Sequence, residues 1–505
     1  MLEAAATFAL VALVYARALP GPFVFDDRSA IVANESLRSL WPLGPVLAQP
    51  PDLTTSGRPV VALSLALDHA LHALDARGYR ATNLALHALC ALLVAAVLRR
   101  TLRGPRLAER FGAQADGLAF AAALLFAVHP LASEVACYAS ARTESLVALF
   151  LLATLYAAIR ARTSARPWGW VGLAVACAVL GMASKEVMVS APILVALHDA
   201  VFLRAPEDAR ERQVRNALWG GLAASWLVLL ALVLGEPRGE SAGFSLWVTP
   251  LVYLANQCRV LPEYLLRVVW PDPLRIDYGL PEPIGLGDAW LGFAFLSALA
   301  LLSLYALWRW PAAGFVGVAC FAILAPSSSF VPIPSEVGAE RRMYLPLAAI
   351  LSLCVCLGWR ALARIGRERL GIWAVAAAAA ALAIVSSARA GDYADGVLLW
   401  QAETRAAPEN ARAHYNLARA LERAGRPQEA KAAGERSVVL EIAFYQRIFP
   451  FQPDRVQALS DLAGLHVAAG LLEAADELYA QVLELAPEDA TALRMRALLR
   501  EHVKP

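Results

Sequence analysis

The sequence predicts an all-α membrane protein: a polytopic helical bundle followed by a C-terminal α-solenoid of short repeats. Three observations predict it. Apolar residues make up 59% of the chain and charged ones 17%, below the ~25% charged fraction of soluble domains. Many apolar runs reach or approach the ~20 residues that a helix needs to cross a hydrocarbon core ~30 Å thick. Past about residue 392 the chain turns charged, helix-forming and repetitive. The net charge of +2 gives a nucleic-acid partner no electrostatic support. Six of the seven cysteines lie inside apolar runs and none forms a metal-type CxxC, so they read as small core residues.

Eleven spans are expected, near 5–20, 83–100, 115–132, 143–160, 168–183, 187–203, 214–234, 287–309, 312–326, 343–360 and 371–390. The first lacks the basic n-region of a signal peptide and reads as an uncleaved span. Arginines concentrate in alternate loops, with five in "RRTLRGPRLAER", three in "RARTSAR" and four in each of "RAPEDARERQVR" and "RALARIGRER". The positive-inside tendency makes those loops cytoplasmic. The N-terminus is then cytoplasmic, and residues 21–82 form the first and longest extracytoplasmic loop. The stretch 246–270 carries Arg259, Glu263 and Arg267 with Pro262, which suits an amphipathic helix in the interface better than a span. Residues 1–391 thus form a membrane domain with an interfacial segment at 246–286.

From 392 to 505 the tetratricopeptide pattern appears. "HYNLARALERAGRPQEA" and "LSDLAGLHVAAGLLEAA" align without gaps, matching Leu417 with Leu462, Ala418 with Ala463, Gly425 with Gly470 and Ala430 with Ala475. Tyr479 and Pro487 take the aromatic and proline positions of the second unit, and Trp400 and Pro408 those of a preceding half-repeat. The offset is 45 residues, so about eleven extra residues lie between units, around "EIAFYQRIFPF". Such repeats bind peptides, pack against neighbours or cap a domain.

Acids and bases gather at almost every outer hairpin. The first loop places Asp26 and Asp27 about six residues beyond the first span, then Arg58. Asn83 and His87, four apart, share one face of the second span. Later outer turns hold Arg142 and Glu144, Lys185 and Glu186, and Glu340, Arg341, Arg342 and Tyr344. Ionisable groups at bilayer depth tend to mark pathways or sites; alternatively they are ion pairs that orient the hairpins. No HExxH, Walker loop or GxGxxG opens a helix, and His87 and His129 stand singly, so no zinc site is expected. A carboxylate can act as general base toward a hydroxyl while Arg or Lys holds a phosphate leaving group. Transfer of a sugar from a lipid-linked phosphate needs that combination.

An N-terminal span followed by "FVFDD", "GRPV" and "TNLALHAL" resembles the GT-C glycosyltransferases. "HPLASEVACYASARTESLVALF", "SKEVMVSAPILVALHD", "GAERRMYLPLAA" and the repeat tail narrow the resemblance to the transmembrane and tetratricopeptide-repeat (TMTC-type) protein O-mannosyltransferases and their bacterial relatives, over about residues 5–500. The segment 246–280 also looks like one particular to that family.

The resemblance implies an inverting transfer, metal-independent or weakly linked to a divalent metal, from a polyprenyl-phosphate sugar to a hydroxyl acceptor. It implies a catalytic acid in the first outer loop, which carries onto Asp26 or Asp27, with Asp26 ahead because related DE motifs place the critical acid first. Adjacent residues diverge, so one of the two faces the reacting centre. Arg58, Arg142, Lys185, Arg341 and Arg342 are the donor-phosphate candidates by position and charge. Glu144, Glu186, Glu340, Tyr344, Asn83 and His87 are supporting residues. Mannose, and a Ser or Thr acceptor on a protein, come from the resemblance alone; a glycan or lipid acceptor is the alternative. The tail is shorter than in animal members and is expected to dock on the outer loops or recruit a partner. Ala, Arg and Leu richness points to a high-GC bacterium, hence an inner membrane with repeats on its outer side. A transporter of lipid-linked sugars would place ionisable residues mid-span, and a non-catalytic scaffold would need no carboxylate.

Overall fold

The computed structural model describes residues 2–502 except 52, 236–247 and 453. Every regular element among them is helical. A helix lies at each of the eleven expected span positions, but the lengths differ. Among the described residues, six helices are long and apolar enough to cross a bilayer: Ala76–Leu102, Ala139–Thr163, Ala209–Gly235, Leu286–Arg309, Glu340–Ala363 and Glu368–Asp392. The pair Ala108–Ala127 and Pro130–Cys137, bent by 60°, makes a seventh if it counts as one span.

Eleven full-length spans is therefore too many. Leu2–Tyr15, Pro167–Met182, Ala191–Phe202 and Pro311–Leu324 run 12 to 16 residues, about 18–24 Å at 1.5 Å per residue. Two local causes shorten them. Proline in the first turn fixes where three of them start. Tighter 3-10 turns, Ala16–Ala18 and Glu186–Ser190, replace α turns at the ends of two. The chain is a multi-pass membrane protein.

Polar contacts collect at two levels, which the helix Ala76–Leu102 separates. Near its end, Arg99 pairs with Glu3 at 2.8 Å and Asp116 at 2.7 Å, Arg162 pairs with Asp199 at 2.8 Å, and Thr101 meets His198 at 2.9 Å. These join the arginine-rich loops. Near its start, Arg80 bonds to the first loop at the Gly21 carbonyl and to the Cys137 carbonyl, and Asn83 bonds to the Tyr138 carbonyl.

The helix Pro250–Val269 is two-faced. Tyr253, Gln257 and Tyr264 are buried while Leu251, Leu266, Val269 and Trp270 are exposed, and it is not among the helices apolar enough to span. The first two residues of the expected interfacial stretch, 246 and 247, lie outside the described residues.

The last membrane helix leads through Tyr393 into Gly396–Ala406, Ala411–Arg423 and Pro427–Ile448, then Arg455–Ala468, Leu472–Leu485 and Ala490–His502. Asp395, Asn410 and Asp454 cap three of these helices by accepting backbone N–H bonds. The matched glycines Gly425 and Gly470 sit at φ +71° and +73°, a left-handed turn that a Cβ would strain. The long offset between units also has a local explanation. Pro427–Ile448 has 22 residues where Leu472–Leu485 has 14, and the three-residue turn Phe449–Phe451 follows it.

Candidate functional site

The first loop leaves the membrane at Gly21, where a Cβ would overlap the backbone carbonyl of Tyr393. Glycine is required there because the loop passes directly against the chain entering the repeats. Arg80, fully buried, donates to the carbonyls of Gly21, Pro22 and Cys137 and so fixes the start of the loop. Phe25 then adopts φ +47°, sparsely populated for a residue with a side chain. Its ring is held by Trp400 at 5.6 Å and by the Arg412 guanidinium at 5.5 Å. Strain held by surrounding contacts is common next to functional groups.

The two adjacent acids have different surroundings. Asp27 is fully buried, and its carboxylate accepts from Val24 N–H at 3.1 Å, Ser140 N–H at 2.7 Å and the Ser140 hydroxyl at 2.6 Å. Burial pushes its pKa up and these donors oppose the shift. It ties the loop to the turn Ala139–Ala141. Asp26 is fixed through its backbone instead, its N–H donating to the Tyr138 hydroxyl at 3.0 Å. Among the described residues nothing hydrogen-bonds or ion-pairs with its carboxylate. Burial raises the Asp26 pKa to about 6; Arg341 and Arg412 oppose the rise, while Glu336 and Asp27 add to it.

The expected cations do not stand alone. Arg341 reaches Glu134 at 2.5 Å and Glu336 at 2.6 Å. Arg342 donates to the Ser327 carbonyl at 2.9 Å, the Glu336 carbonyl at 3.1 Å and the Tyr253 hydroxyl at 3.2 Å. Lys185 pairs with Glu144, and Arg58 pairs with Glu186 at 3.3 Å. Burial holds the Lys185 ammonium below its usual range, with Glu144 opposing and Arg58 adding. A small cavity of about 10 Å³ brings Glu144, Lys185, Arg342 and Tyr344 together with Ser327. Arg341 lies within electrostatic reach of both Asp26 and Glu144, so these groups form one continuous charged network.

Other expected residues are placed as supports. Arg142 is enclosed by an ion pair with Asp68 and by bonds to Asn83 Oδ1 at 2.8 Å and the Tyr79 carbonyl at 2.7 Å. Asn83 donates to the Tyr138 carbonyl at 2.8 Å. His87 Nε2 lies 3.0 Å from the Ala127 carbonyl, which only accepts, so Nδ1 accepts from the Tyr344 hydroxyl at 2.6 Å. Glu340 accepts from Arg275 N–H at 2.7 Å and the Tyr278 hydroxyl at 3.3 Å. Among the described residues no group of three or more His, Cys, Asp or Glu side chains is arranged to hold a metal. One hydrolase spelling, GESAG at 239–243, occurs in the sequence; it lies outside the described residues.

Sequence reasoning missed Arg80, Tyr138, Ser140, Asp277 and Arg412. Arg80 stood three residues before Asn83, a spacing that shares a helix face. Arg412 had no such signal. It crosses from the first repeat helix to the interfacial segment, where Asp277 accepts its Nε at 2.7 Å, and its ring contact on Phe25 places it beside Asp26.

No protein-family model and no solved structure matches the chain. It is similar to a Caenorhabditis elegans protein O-mannosyl-transferase, F38B6.6, at 24% identity over 86% of this chain and 62% of that protein. Human protein O-mannosyl-transferase TMTC4 is 25% identical over 81% of this chain and 63% of its own. Drosophila melanogaster Tmtc1 is 31% identical over 38% and 22% respectively. The chain is thus homologous along most of its length to TMTC-type proteins, and it spans less than two thirds of the length of these relatives.

Proposed function

We propose that this TMTC-type homologue transfers a sugar from a polyprenyl-phosphate carrier to a Ser or Thr hydroxyl of a protein, with Asp26 as the general base. The relatives' names support mannose and a protein acceptor. The observation that carries the assignment of the base is the contrast between the two acids: Asp27 accepts from three donors, whereas among the described residues the Asp26 carboxylate accepts from none. With a pKa near about 6, Asp26 is ionised near neutral pH yet more basic than an ordinary carboxylate, as proton abstraction favours.

In the proposed step an Asp26 carboxylate oxygen takes the hydroxyl proton. The acceptor oxygen attacks the anomeric carbon opposite the phosphate, and the bond to the phosphate oxygen breaks with its electron pair leaving on the phosphate. A single displacement inverts the anomeric centre. The leaving phosphate gains negative charge, which Lys185, Arg341 and Arg342 would offset; Lys185 and Arg342 share one small cavity, and Arg341 acts electrostatically on Asp26. The arginine-rich loops support a cytoplasmic N-terminus. The first repeat unit docks beside Asp26, which supports an outer location for both; a bacterial inner membrane with a periplasmic face fits the composition.

The test is transfer of radiolabelled sugar from polyprenyl-phosphate donors into endogenous acceptors, in membranes carrying the native chain, Asp26→Asn or Asp27→Asn. Asp26→Asn is expected to lower labelling by roughly 10²–10⁴-fold with thermal stability at neutral pH at or above native, since the buried charge is removed. Asp27→Asn is expected to lower stability first, since an amide cannot accept from all three donors. Full labelling by Asp26→Asn would remove Asp26 from the base role. A protease-resistant labelled product would move the acceptor from protein to lipid or glycan.

A further inference from the structure

Between the first loop and the first repeat unit lies an open cleft of about 480 Å³. Phe25, Trp400 and the half-exposed Tyr415 supply aromatic walls, and Arg28, Arg419 and Arg423 line it with guanidiniums. Its positive charge is poorly compensated. Among the described residues neither Arg28 nor Arg423 has an ion pair, and Arg419 pairs with Glu422 of its own helix at 3.0 Å. The acid in the lining, Asp395, already caps its helix by accepting from Val397 N–H at 2.6 Å and Leu398 N–H at 3.2 Å. Burial, with Arg28 and Arg419 alongside, holds the Arg423 guanidinium below its usual range.

The cleft reaches the reaction centre through one residue. Phe25 is both part of its wall and the chain neighbour of Asp26. The space falls within the ~300–1,000 Å³ of small-ligand pockets, but it is open to solvent rather than enclosed, so a side chain and its flanking backbone can enter it without the whole ligand being engulfed. Its walls mix rings with arginines, a combination that recurs at the cores of protein-binding surfaces.

We propose that this cleft binds the acceptor, as an extended acidic polypeptide segment whose Ser or Thr is thereby presented to Asp26. The proposal rests on the transferase reading, and its test reads binding apart from transfer. The full chain in nanodiscs of zwitterionic lipid would be titrated against two fluorescent Ser/Thr peptides, one rich in glutamate and one with lysine in its place. The acidic peptide is expected to bind at least about tenfold more tightly, and its advantage should shrink as salt shortens the Debye length from ~10 Å at 0.1 M to ~3 Å at 1 M. Arg28→Glu with Arg423→Glu should erase the preference, and the milder Arg28→Gln with Arg423→Gln should halve its logarithm or more. Tyr415→Ala should weaken both peptides. Equal affinity for the two peptides, or an unchanged preference in the folded charge-reversed chain, would overturn the proposal. So would loss of binding confined to anionic-lipid vesicles, which would assign the arginines to headgroups. Acidic-peptide binding without any sugar transfer would keep the cleft and sink the transferase reading; transfer without an acidic preference would do the reverse.

Discussion

The two repeat units share a sequence pattern but occupy different settings. In the first, taken with the half-repeat that precedes it, Val397, Leu399, Trp400, Ala413 and Ala418 belong to the same apolar core as the membrane bundle. Arg412 pairs with buried Asp277, Glu403 accepts from Ile276 N–H at 3.0 Å and from Arg389 at 2.8 Å, and Asn410 donates to the Asp277 carbonyl at 3.2 Å. In the second, Leu459, Ala463, Ala475, Tyr479 and Val482 form a core of their own, and its ion pair, Arg496 with Asp476 at 2.7 Å, is partly exposed and internal. The shared small residues and turn glycines encode how two helices stack within a unit. They do not encode what the unit docks against. The first unit has become part of the wall around Asp26; the second extends the solenoid.

Truncation tests that difference most severely. Ending the chain after residue 394 is expected to abolish sugar labelling, because Trp400 and Arg412 then no longer hold Phe25. Ending it after residue 452 should leave labelling within about twofold, since each repeat contacts only its neighbours. Equal losses would erase the distinction.

Matched charge removals should differ next. Asp277→Asn leaves the Arg412 guanidinium without its buried partner, and breaking a buried pair costs about 3–5 kcal/mol. Asp476→Asn breaks an exposed pair, for which the cost is about 0–1 kcal/mol. Thermal unfolding in detergent checks both, and comparable losses would mean that the first unit is not integral to the membrane domain.

The smallest expected effect is on pH dependence. If Asp26 is the base, as proposed, it must be ionised, so transfer should rise as pH passes through about 6 and level off above it. Arg412 favours the ionised carboxylate, so Arg412→Gln should move that acid limb to higher pH, by less than about one pH unit. Arg496→Gln, in the second unit, should leave it in place. A limb that moves downward would place another acid in control. The stability linkage has the opposite sense to activity. The folded chain holds the Asp26 proton more tightly than the unfolded one, so its contribution is present at low pH and is lost as pH rises from the unfolded value, ~3.9, through about 6.

Much of the helical plan was legible. Apolar runs locate a helix at every expected span, and Gly425 and Gly470 mark the repeat turns because a left-handed φ disfavours any side chain. Span length was less legible, since hydropathy does not register where Pro192 or a 3-10 turn stops an α-helix short. At the site, position and charge found the outer cluster but not its internal division. Arg142 and Lys185 look alike as cations beside acids; one is sealed among Asp68, Asn83 and Tyr79, and the other lines a cavity.

The sequence by itself determined a membrane-embedded helical bundle, a repeat tail and a layer of ionisable groups at one level, because composition and periodicity act locally along the chain. Only the tertiary structure decided which of two adjacent acids is free. Asp27 accepts from its loop neighbour Val24 and from distant Ser140, and Asp26 feels the charges of Arg341 and Arg412; Ser140, Arg341 and Arg412 are separated from the first loop by long segments of chain. Hydrogen-bond saturation and electrostatic environment depend on which distant donors and charges folding brings within a few ångströms, and no local pattern carries that information.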